Sequence, residues 1–321
     1  MKYMILGGGG VFGNLCARHL LSKGHEVIAI GRSPLKPHFH LGVGKSNPAY
    51  EYHQIHIAQE TAELLRMMDD RRPDYVVNFA ALAYANSWDN PAPYYRTNTL
   101  AVVDIVQWLS GRSWLRKFIQ IGSSEVYGST PAPAAEDAPL NPSSPYAVSK
   151  LAADLHLLTM RDYLPLCVLR PSNCYGEGQY AYPIIPKTIL YLLSGMTFPL
   201  EGGGVAEKSF MHADDLATAI EVVAEKGDAP LYNVGVDTPI SMRALVEEIC
   251  KQMRKPFSEH VYAVPGRQTE DSRYWIDSSR IKALGWLPGV GMEEGIARMI
   301  AWCTQHKDAL SQEATKFTLR A

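Results

Sequence analysis

Strand-length apolar runs alternate with helix-length amphipathic segments over the first 170 residues, and this alternation is the feature that most restricts the fold. It predicts strands at residues 2–6, 26–30, 50–57, 75–81, 117–121 and 166–169. It predicts helices at residues 14–21, 61–68, 94–110 and 146–163. Alternation of this kind is typical of a doubly wound parallel sheet with helices on both faces. The sequence therefore indicates an α/β protein built on such a sheet.

The pattern changes after residue 170. Loops or turns are predicted at 173–178 and 202–204, a strand at 231–236, and helices at 186–194, 242–253 and 292–305. We expect two interleaved domains. The sheet domain covers residues 1–172 and about 212–236, and a smaller C-terminal α/β domain, woven back through the first, covers about 173–211 and 237–321.

A glycine-rich segment lies between the first predicted strand and the first predicted helix. Gly7, Gly10 and Gly13 have the spacing G-x-x-G-x-x-G, with Val11 and Phe12 between the last two. Glycine lets the backbone approach a pyrophosphate, and the helix N-terminus supplies N–H donors for it. These five residues are predicted to bind a dinucleotide on a Rossmann-type sheet. The alternative is a merely flexible turn.

Two further strand ends are expected to reach the same dinucleotide. The fourth strand ends in the small residues Ala80 and Ala81, where a cofactor can lie close to the backbone. The second strand is followed by Arg32 and Ser33, without the carboxylate that usually binds the ribose 2′-OH of NAD. A guanidinium and a hydroxyl suit a 2′-phosphate, so the sequence favours NADP over NAD. The alternative is that Arg32 is a solvated loop charge.

Composition argues against several classes of partner. The net charge of −2 gives no general attraction to nucleic acid or to an anionic membrane surface. No apolar run approaches 18 residues, and glycines interrupt the apolar N-terminus, so neither a membrane span nor a signal peptide is expected. Five scattered cysteines without a C-x-x-C pair indicate reduced thiols, a cytoplasmic location and no metal site.

Tyr146 and Lys150 stand four residues apart at the start of a predicted helix, so their side chains share one face. An ammonium beside a phenol favours the phenolate, which makes Tyr146 a candidate acid or base for an alcohol or carbonyl. Taken alone, the pair is more often a core aromatic beside a solvated lysine. Ser123, Ser124 and Glu125 follow the fifth predicted strand, at the sheet edge where open parallel sheets bind ligands.

Taken in order, these motifs resemble the extended short-chain dehydrogenase/reductase superfamily, in its nucleotide-sugar epimerase/dehydratase branch. Further similar stretches are residues 136–146, 170–176, 212–215, 232–235, 284–288 and 293–295. The resemblance implies that Tyr146 removes a proton from a sugar hydroxyl, usually at C4, while hydride passes to the nicotinamide. It implies that Lys150 holds the nicotinamide ribose, that Ser123 bonds the reacting oxygen, and that Asn173 lies near the substrate diphosphate.

The reaction that follows C4 oxidation depends on the residues after Ser123. Dehydratases of the family often have aspartate and then glutamate there, and this chain has Ser124 and Glu125. The resemblance therefore implies dehydration or epimerisation of a nucleotide-diphosphate sugar through Glu125. The alternatives are an NADPH-dependent reductase of a 4-keto nucleotide sugar and a non-catalytic dinucleotide sensor.

Three positions depart from the family pattern. An acidic residue near the adenine is replaced by His56, and an arginine near the substrate phosphates is replaced by Lys208. The family's Arg-Pro-Gly reads Val-Pro-Gly, with Arg267 and Arg273 close behind it. Lys208 and Arg273 are thus candidate substrate ligands. The helices at 94–110 and 146–163 resemble those that pair across a two-fold axis, so a homodimer is expected.

Overall fold

The computed structural model describes residues 1–43, 47–83, 87–266 and 271–313. The strands are β1 (Lys2–Leu6), β2 (Glu26–Gly31), β3 (Tyr50–Gln54), β4 (Tyr75–Asn78), β5 (Lys117–Ile121), β6 (Leu166–Pro171), β7 (Asn173–Tyr175), β8 (Phe198–Glu201), β9 (Glu207–Lys208), β10 (Phe210–His212), β11 (Leu231–Val234), β12 (Ile240–Ser241), β13 (Val261–Val264) and β14 (Arg273–Tyr274). The helices are α1 (Val11–Ser22), α2 (Thr61–Arg71), α3 (Ala92–Tyr95), α4 (Ala101–Leu109), α5 (Pro145–Thr159), α6 (Ile184–Leu193), α7 (Ala213–Lys226), α8 (Met242–Gln252), α9 (Phe257–His260), α10 (Ser279–Lys282), α11 (Met292–Gln305) and α12 (Lys307–Ser311).

Seven strands form one parallel sheet in the order β11-β6-β5-β4-β1-β2-β3. Every neighbouring pair in it is parallel. From the centre of the sheet, β1, β2 and β3 follow one another toward one edge, and β4, β5 and β6 follow one another toward the other edge. The crevice between the ends of β1 and β4 is therefore a topological switch point, where such sheets bind ligands. The doubly wound parallel sheet predicted from the sequence is confirmed.

The two faces of the sheet bury different side chains, because neighbours on a strand point to opposite sides. Tyr3 and Ile5 pack on one face with helices α1 and α7. Met4 and Leu6 pack on the other face with α2, α4 and α5. A separate apolar cluster joins α6, α8 and α11 outside the sheet, and the short sheets β12-β9-β14 and β13-β8 lie in that part of the chain.

The structure differs from the sequence prediction at several elements. Residues 173–178 were predicted as loop, but Asn173–Tyr175 is strand β7, paired in parallel with Phe210–His212. That prediction is wrong because three residues are too few to show an alternating pattern. The helix Ala213–Lys226 was not predicted at all. The strands expected at 50–57, 75–81 and 231–236 end earlier, at Gln54, Asn78 and Val234.

The helix predicted at residues 94–110 is interrupted by a π turn. Helices α3 and α4 are joined by Arg96–Leu100 in π conformation. Asn98 lies in this turn with its side chain fully buried. Its amide bonds both the backbone N–H and the carbonyl of Leu82, at 2.8 and 2.9 Å. Through these two hydrogen bonds the π turn is connected to the segment that follows β4, next to the switch point.

A group of charged side chains, which we call the junction cluster, connects α1, α7 and α11. It consists of Arg18, Glu177, His212, Asp214 and Arg298. Arg298 bonds Glu177 at 2.7 Å and Asp214 at 2.8 Å, and Asp214 also bonds Arg18. Although burial opposes it, hydrogen bonds from His212 and Arg298 lower the pKa of Glu177 to about 2. The cluster therefore holds its carboxylates ionised where the sheet meets the C-terminal helices.

Candidate active site

The glycine segment closes tightly over the ends of β1 and β4. Gly7 has φ of +81°, and a Cβ atom there would lie 2.6 Å from the backbone nitrogen of Ala80. A Cβ on Gly13 would lie 2.5 Å from the carbonyl oxygen of Gly7. Helix α1 begins at Val11 directly after this turn, with no acidic residue in its first turn. The N-terminus of α1 is thus a surface that suits a pyrophosphate.

A polar groove of about 480 Å³ lies beside the end of β2. It is lined by Pro34, Leu35, Tyr50, Tyr52 and Gln54. The hydroxyl of Tyr52 donates to the carbonyl of Ser33, next to Arg32. Burial and the nearby Arg32 guanidinium lower the pKa of His56. The predicted cofactor residue Arg32 and the departure at His56 are therefore neighbours at this end of the site.

Two of the predicted catalytic segments meet at the carboxyl end of β5. Ser123 begins a short 3-10 turn, and its hydroxyl accepts the backbone N–H of Glu125 at 3.2 Å. Helix α5 begins at Pro145, with the Ser144 hydroxyl capping it, so Tyr146 lies in its first turn. Lys150, one turn later, donates to the carbonyl of Ile121 at 2.5 Å, two residues before Ser123.

Lys150 is buried, and its pKa lies close to the pH range in which enzymes work. Burial lowers the pKa of Lys150 to about 8, while the Asp154 carboxylate opposes that change. The ammonium on the same helix face as Tyr146 favours the phenolate of that tyrosine. Ser124 is also buried. The arrangement supplies one phenol, one ammonium and one hydroxyl that can act on a bound alcohol.

Glu125 lies half-buried in the short turn that follows Ser123. Burial raises the pKa of Glu125 to about 7; the nearby Lys208 ammonium lowers it and the Asp271 carboxylate raises it. A carboxyl with this pKa exchanges protons readily at neutral pH. The predicted residues Glu125 and Lys208 are thus near each other. They are 83 positions apart in the sequence, a separation that no local sequence pattern connects.

A hydroxyl-rich group around Asp271 completes this side of the site. Asp271 accepts hydrogen bonds from Tyr274 at 2.7 Å, from Ser129 at 2.9 Å and from Ser143. The Lys208 ammonium lies 5.4 Å from the centre of the Tyr274 ring. The sequence analysis does not single out Ser143, Asp271 or Tyr274. Their role becomes visible only through the pairing of β9 with β14, which no sequence spacing shows.

The other predicted substrate residues are placed less centrally. Arg273 bonds Glu207 and faces a polar groove of about 550 Å³ that includes Thr130 and Ser272. Asn173 begins β7, half-buried, and its N–H donates to the carbonyl of Ser209 at 3.1 Å. Arg267 lies outside the described residues.

The described part of the chain holds neither a metal-binding cluster nor a membrane-spanning helix. No group of three or more histidine, cysteine, aspartate or glutamate side chains there is arranged to hold a metal ion. None of its helices combines the length and apolar character needed to cross a bilayer.

Comparison with known proteins identifies the family. A profile of the NAD-dependent epimerase/dehydratase family matches residues 3–235. The dTDP-glucose 4,6-dehydratase of Streptomyces griseus is 30% identical over 316 residues, covering 95% of this chain and 94% of that protein. The dTDP-glucose 4,6-dehydratase DesIV of Streptomyces venezuelae, solved with bound NAD, superposes with a TM-score of 0.88 at 28% identity, covering 96% of this chain and 98% of that one.

Another relative is much longer than this chain. The trifunctional UDP-glucose 4,6-dehydratase/UDP-4-keto-6-deoxy-D-glucose 3,5-epimerase/UDP-4-keto-L-rhamnose-reductase of Arabidopsis thaliana is 31% identical over 243 residues. The match covers 73% of this chain and 36% of that protein. The chain spans between a third and a half of such trifunctional relatives.

The sheet, its switch point and the glycine turn define a dinucleotide-binding α/β protein. The chain belongs to the NAD-dependent epimerase/dehydratase family, as the sequence predicted.

Proposed function

We propose that this chain is a nucleotide-sugar 4,6-dehydratase, which oxidises a nucleotide-diphosphate hexose at C4 and then removes water across C5 and C6. The observation that carries the proposal is Glu125, a carboxyl with a pKa of about 7 in the same short turn as Ser123, at the carboxyl end of β5. Four relatives of which this chain covers 94–96% are dTDP-glucose 4,6-dehydratases, which supports the same assignment.

The first half of the proposed reaction uses Tyr146, Lys150 and Ser123. A bound nicotinamide dinucleotide supplies a hydride acceptor, for which the turn at Gly7, the N-terminus of α1 and Ala80 form a fitting surface. Tyr146 as phenolate takes the proton of the C4 hydroxyl, and the Lys150 ammonium stabilises that phenolate. The Ser123 hydroxyl bonds the C4 oxygen while it becomes a carbonyl.

The second half uses Glu125. A carbonyl at C4 makes the C5 proton acidic, and Glu125 removes it while hydroxide leaves from C6. Because the pKa of Glu125 is about 7, the same carboxyl can pass that proton to the departing oxygen, which leaves as water. With a nicotinamide dinucleotide bound, the hydride taken from C4 would return to C6. A proton adds at C5 in exchange for the one that Tyr146 took from the C4 hydroxyl, so the product is a 4-keto-6-deoxy sugar without net oxidation.

The direct test is incubation of the purified chain with dTDP-glucose, UDP-glucose or GDP-mannose. Mass spectrometry is expected to show a 4-keto product lighter than one of these substrates by one water. The Glu125→Gln variant, which keeps shape but not the carboxyl, is expected to give no such product. If the wild-type chain dehydrates none of the three sugars and instead forms an epimer of one of them, dehydration is excluded and the epimerase assignment replaces it.

We further propose NADP as the preferred dinucleotide. Arg32 and the neighbouring His56 and Ser33 form a polar, positively charged rim at the end of β2, which supports binding of a 2′-phosphate. Mass spectrometry of nucleotides released by denaturation tests this. NADP(H) is the expected finding, and Arg32→Ala should then weaken NADP binding about tenfold while leaving NAD unaffected. Recovery of NAD(H) alone, as in the DesIV complex, would contradict it.

A net reductase of a 4-keto nucleotide sugar is the second candidate, favoured by the same Arg32 because NADPH is a reductant. It predicts stoichiometric consumption of NADPH with a 4-keto nucleotide sugar. Dehydration consumes none, so the change of cofactor absorbance during one assay separates the two functions.

Assembly, domains and location are proposed on separate observations. Leu100 in the π turn before α4 and Val148 and Leu155 on α5 are exposed apolar residues, which suit a homodimer contact. The separate apolar cluster of α6, α8 and α11 supports a C-terminal substrate domain with the predicted boundaries. All five cysteines are unpaired, which is typical of a cytoplasmic protein. Light scattering at micromolar concentration is expected to give twice the chain mass.

A further inference from the structure

Below the proposed catalytic residues lies a buried ion pair that the reaction does not itself use. Asp154 and Arg170 are 0% and 1% exposed, and their side chains bond at 2.9 Å. Arg170 also donates to the hydroxyl of Tyr127 at 2.9 Å, and Tyr127 donates to Asn233 at 2.8 Å. The pair is thus enclosed between α5, β6 and β11.

The position of Asp154 relates the pair to the catalytic lysine. Tyr146, Lys150 and Asp154 follow one another at four-residue spacing, so they share one face of α5. A Cβ atom on Gly122 would lie 3.2 Å from both carboxylate oxygens of Asp154. Gly122 directly follows Ile121, whose carbonyl accepts the Lys150 hydrogen bond. The carboxylate therefore reaches the same stretch of backbone as the lysine ammonium.

One oxygen of this carboxylate is not used by the ion pair. Oδ2 of Asp154 accepts from Arg170, whereas Oδ1 is buried and has no hydrogen-bond partner within the described ranges. Lys150 is itself 2% exposed. A buried ammonium loses its proton easily unless a negative charge is near.

We propose that Asp154 is a positioning residue that keeps Lys150 protonated, and that Arg170 holds Asp154 in place and limits its effect. This inference rests on the proposed roles of Tyr146 and Lys150. Two cations and one carboxylate give the buried group a net charge of +1. A Tyr146 phenolate brings the total to zero, so the group favours the ionised phenol without leaving an excess charge under the site.

Within the described residues, four charged or titratable groups lie around Lys150 or the adjoining ion pair. Asp154 lies on the same helix, Arg170 on β6, and Tyr127 in the turn after β5; Tyr146 lies one turn earlier on α5. Asp154 is the single carboxylate among these four. Its removal leaves Lys150 with a like charge at Arg170 and no opposite charge among them.

The test measures the titration of Lys150 by NMR of protein labelled with ¹³C at the lysine Cε, with the resonance assigned by its loss in Lys150→Met. In Asp154→Asn the midpoint is expected to fall by at least about one pH unit. In Arg170→Met, which removes the like charge, it is expected to rise. Asp214→Asn, which removes a carboxylate of the junction cluster, serves as the control and should leave the midpoint unchanged.

Opposite shifts separate an electrostatic role from a structural one, because loss of packing would affect both variants alike. If Arg170→Met does not fold, the double variant Asp154→Asn/Arg170→Met is used, and its midpoint should lie above that of Asp154→Asn. An unchanged midpoint in Asp154→Asn, or shifts in the same direction in both single variants, overturns the proposal.

A kinetic readout follows once a substrate is known. The fall in kcat at alkaline pH should begin about one pH unit lower in Asp154→Asn, with KM unchanged and recovery in Asp154→Glu. The NMR titration needs no substrate, so failure of the dehydratase assignment and failure of this inference are distinguishable.

Discussion

At the proposed cofactor end of the site the decisive contacts are between backbone atoms, whereas at the proposed sugar end they are between side chains. Gly7 and Gly13 allow β1, β4 and α1 to approach within distances that a methyl group would prevent. Around Asp271, three hydroxyls from separate segments bond one carboxylate. The surface at the glycine turn depends on the whole sheet. The surface around Asp271 depends on a few side chains that can be replaced one at a time.

This difference has a functional meaning. A dinucleotide is the same in every turnover, so a surface fixed by backbone geometry serves it well. Sugars differ by single hydroxyl groups, and a surface made of side chains on short strands can change one residue at a time. Lys208 and Tyr274 lie on the strands β9 and β14, each only two residues long. We therefore expect substitutions at the two ends to have different signatures.

The largest effect is expected at the residue between the two ends. Tyr146→Phe removes only the phenolic proton carrier, so turnover should fall about a thousandfold while cofactor binding stays the same. Steady-state kinetics and fluorescence titration with the dinucleotide measure the two quantities. Tyr163→Phe, at an exposed position, is the matched control. Substantial activity in Tyr146→Phe would show that another group moves the proton.

Glu125→Gln is expected to stop the reaction after the first oxidation, so reduced nicotinamide should accumulate on the enzyme in a single turnover. In the wild type, the dehydration rate should rise as the pH increases through about 7, because Glu125 must be ionised to take the C5 proton. Absorbance of the reduced cofactor and stopped-flow rates over pH 5 to 8 measure this. A variant that still releases the dehydrated product would assign the proton transfer elsewhere.

The same substitution is expected to increase stability. The folded-state pKa of Glu125 is raised from 4.5 to about 7, so ionisation of the folded protein costs free energy that grows as pH rises from 4.5 to 7. Removing the carboxyl should raise the free energy of unfolding at pH 8 by on the order of 2 kcal/mol. Urea unfolding should show this gain at pH 8 and little of it near pH 4.5.

Gly7→Ala tests the backbone side of the comparison. The added methyl group clashes with Ala80, and φ is positive, so stability should fall by about 3 kcal/mol and dinucleotide affinity with it. Gly24→Ala is the control, because Gly24 also has positive φ but open space around its Cβ position. The additional loss of stability in Gly7→Ala measures the effect of the close approach between Gly7 and Ala80 alone. Equal losses in the two variants would show that this approach contributes nothing.

Lys208→Met should have the smallest effect, confined to the sugar end. The Lys208 ammonium lowers the pKa of Glu125, so its removal should move the rise in dehydration rate to higher pH and increase KM about tenfold. Lys208→Arg keeps the charge and should leave the pH dependence unchanged. A change in dinucleotide affinity in Lys208→Met would contradict the separation of the two ends.

The sequence predicted the placement of those parts of the candidate site that follow regular elements. Gly7, Gly10 and Gly13 lie between a strand and a helix, and Tyr146 and Lys150 lie on one helix face, so local spacing is sufficient to bring each set together. The sheet followed from the alternation of periods. These features depend on contacts between near neighbours in the chain or on a repeated pattern.

The residues that the sequence did not reveal depend on pairings between distant segments. Asp271 and Tyr274 reach the site because β14 pairs with β9, and that pairing involves only Arg273 with Glu207 and Tyr274 with Lys208. Strand β7 was missed for the same reason. Ladders of two or three residues carry no periodicity, and their location is decided by the tertiary structure.

The junction cluster has a consequence for how the polypeptide acquires its shape. Arg18 meets Asp214 across 196 positions, and Asp214 meets Arg298 across a further 84. Contacts of such long range are slow to form, because the intervening chain must first lose much of its conformational freedom. Helix α1, although synthesised among the first, meets its ionic partner Asp214 only when α7 has been synthesised and packed against it, and the cluster is complete only when Arg298 of α11 joins.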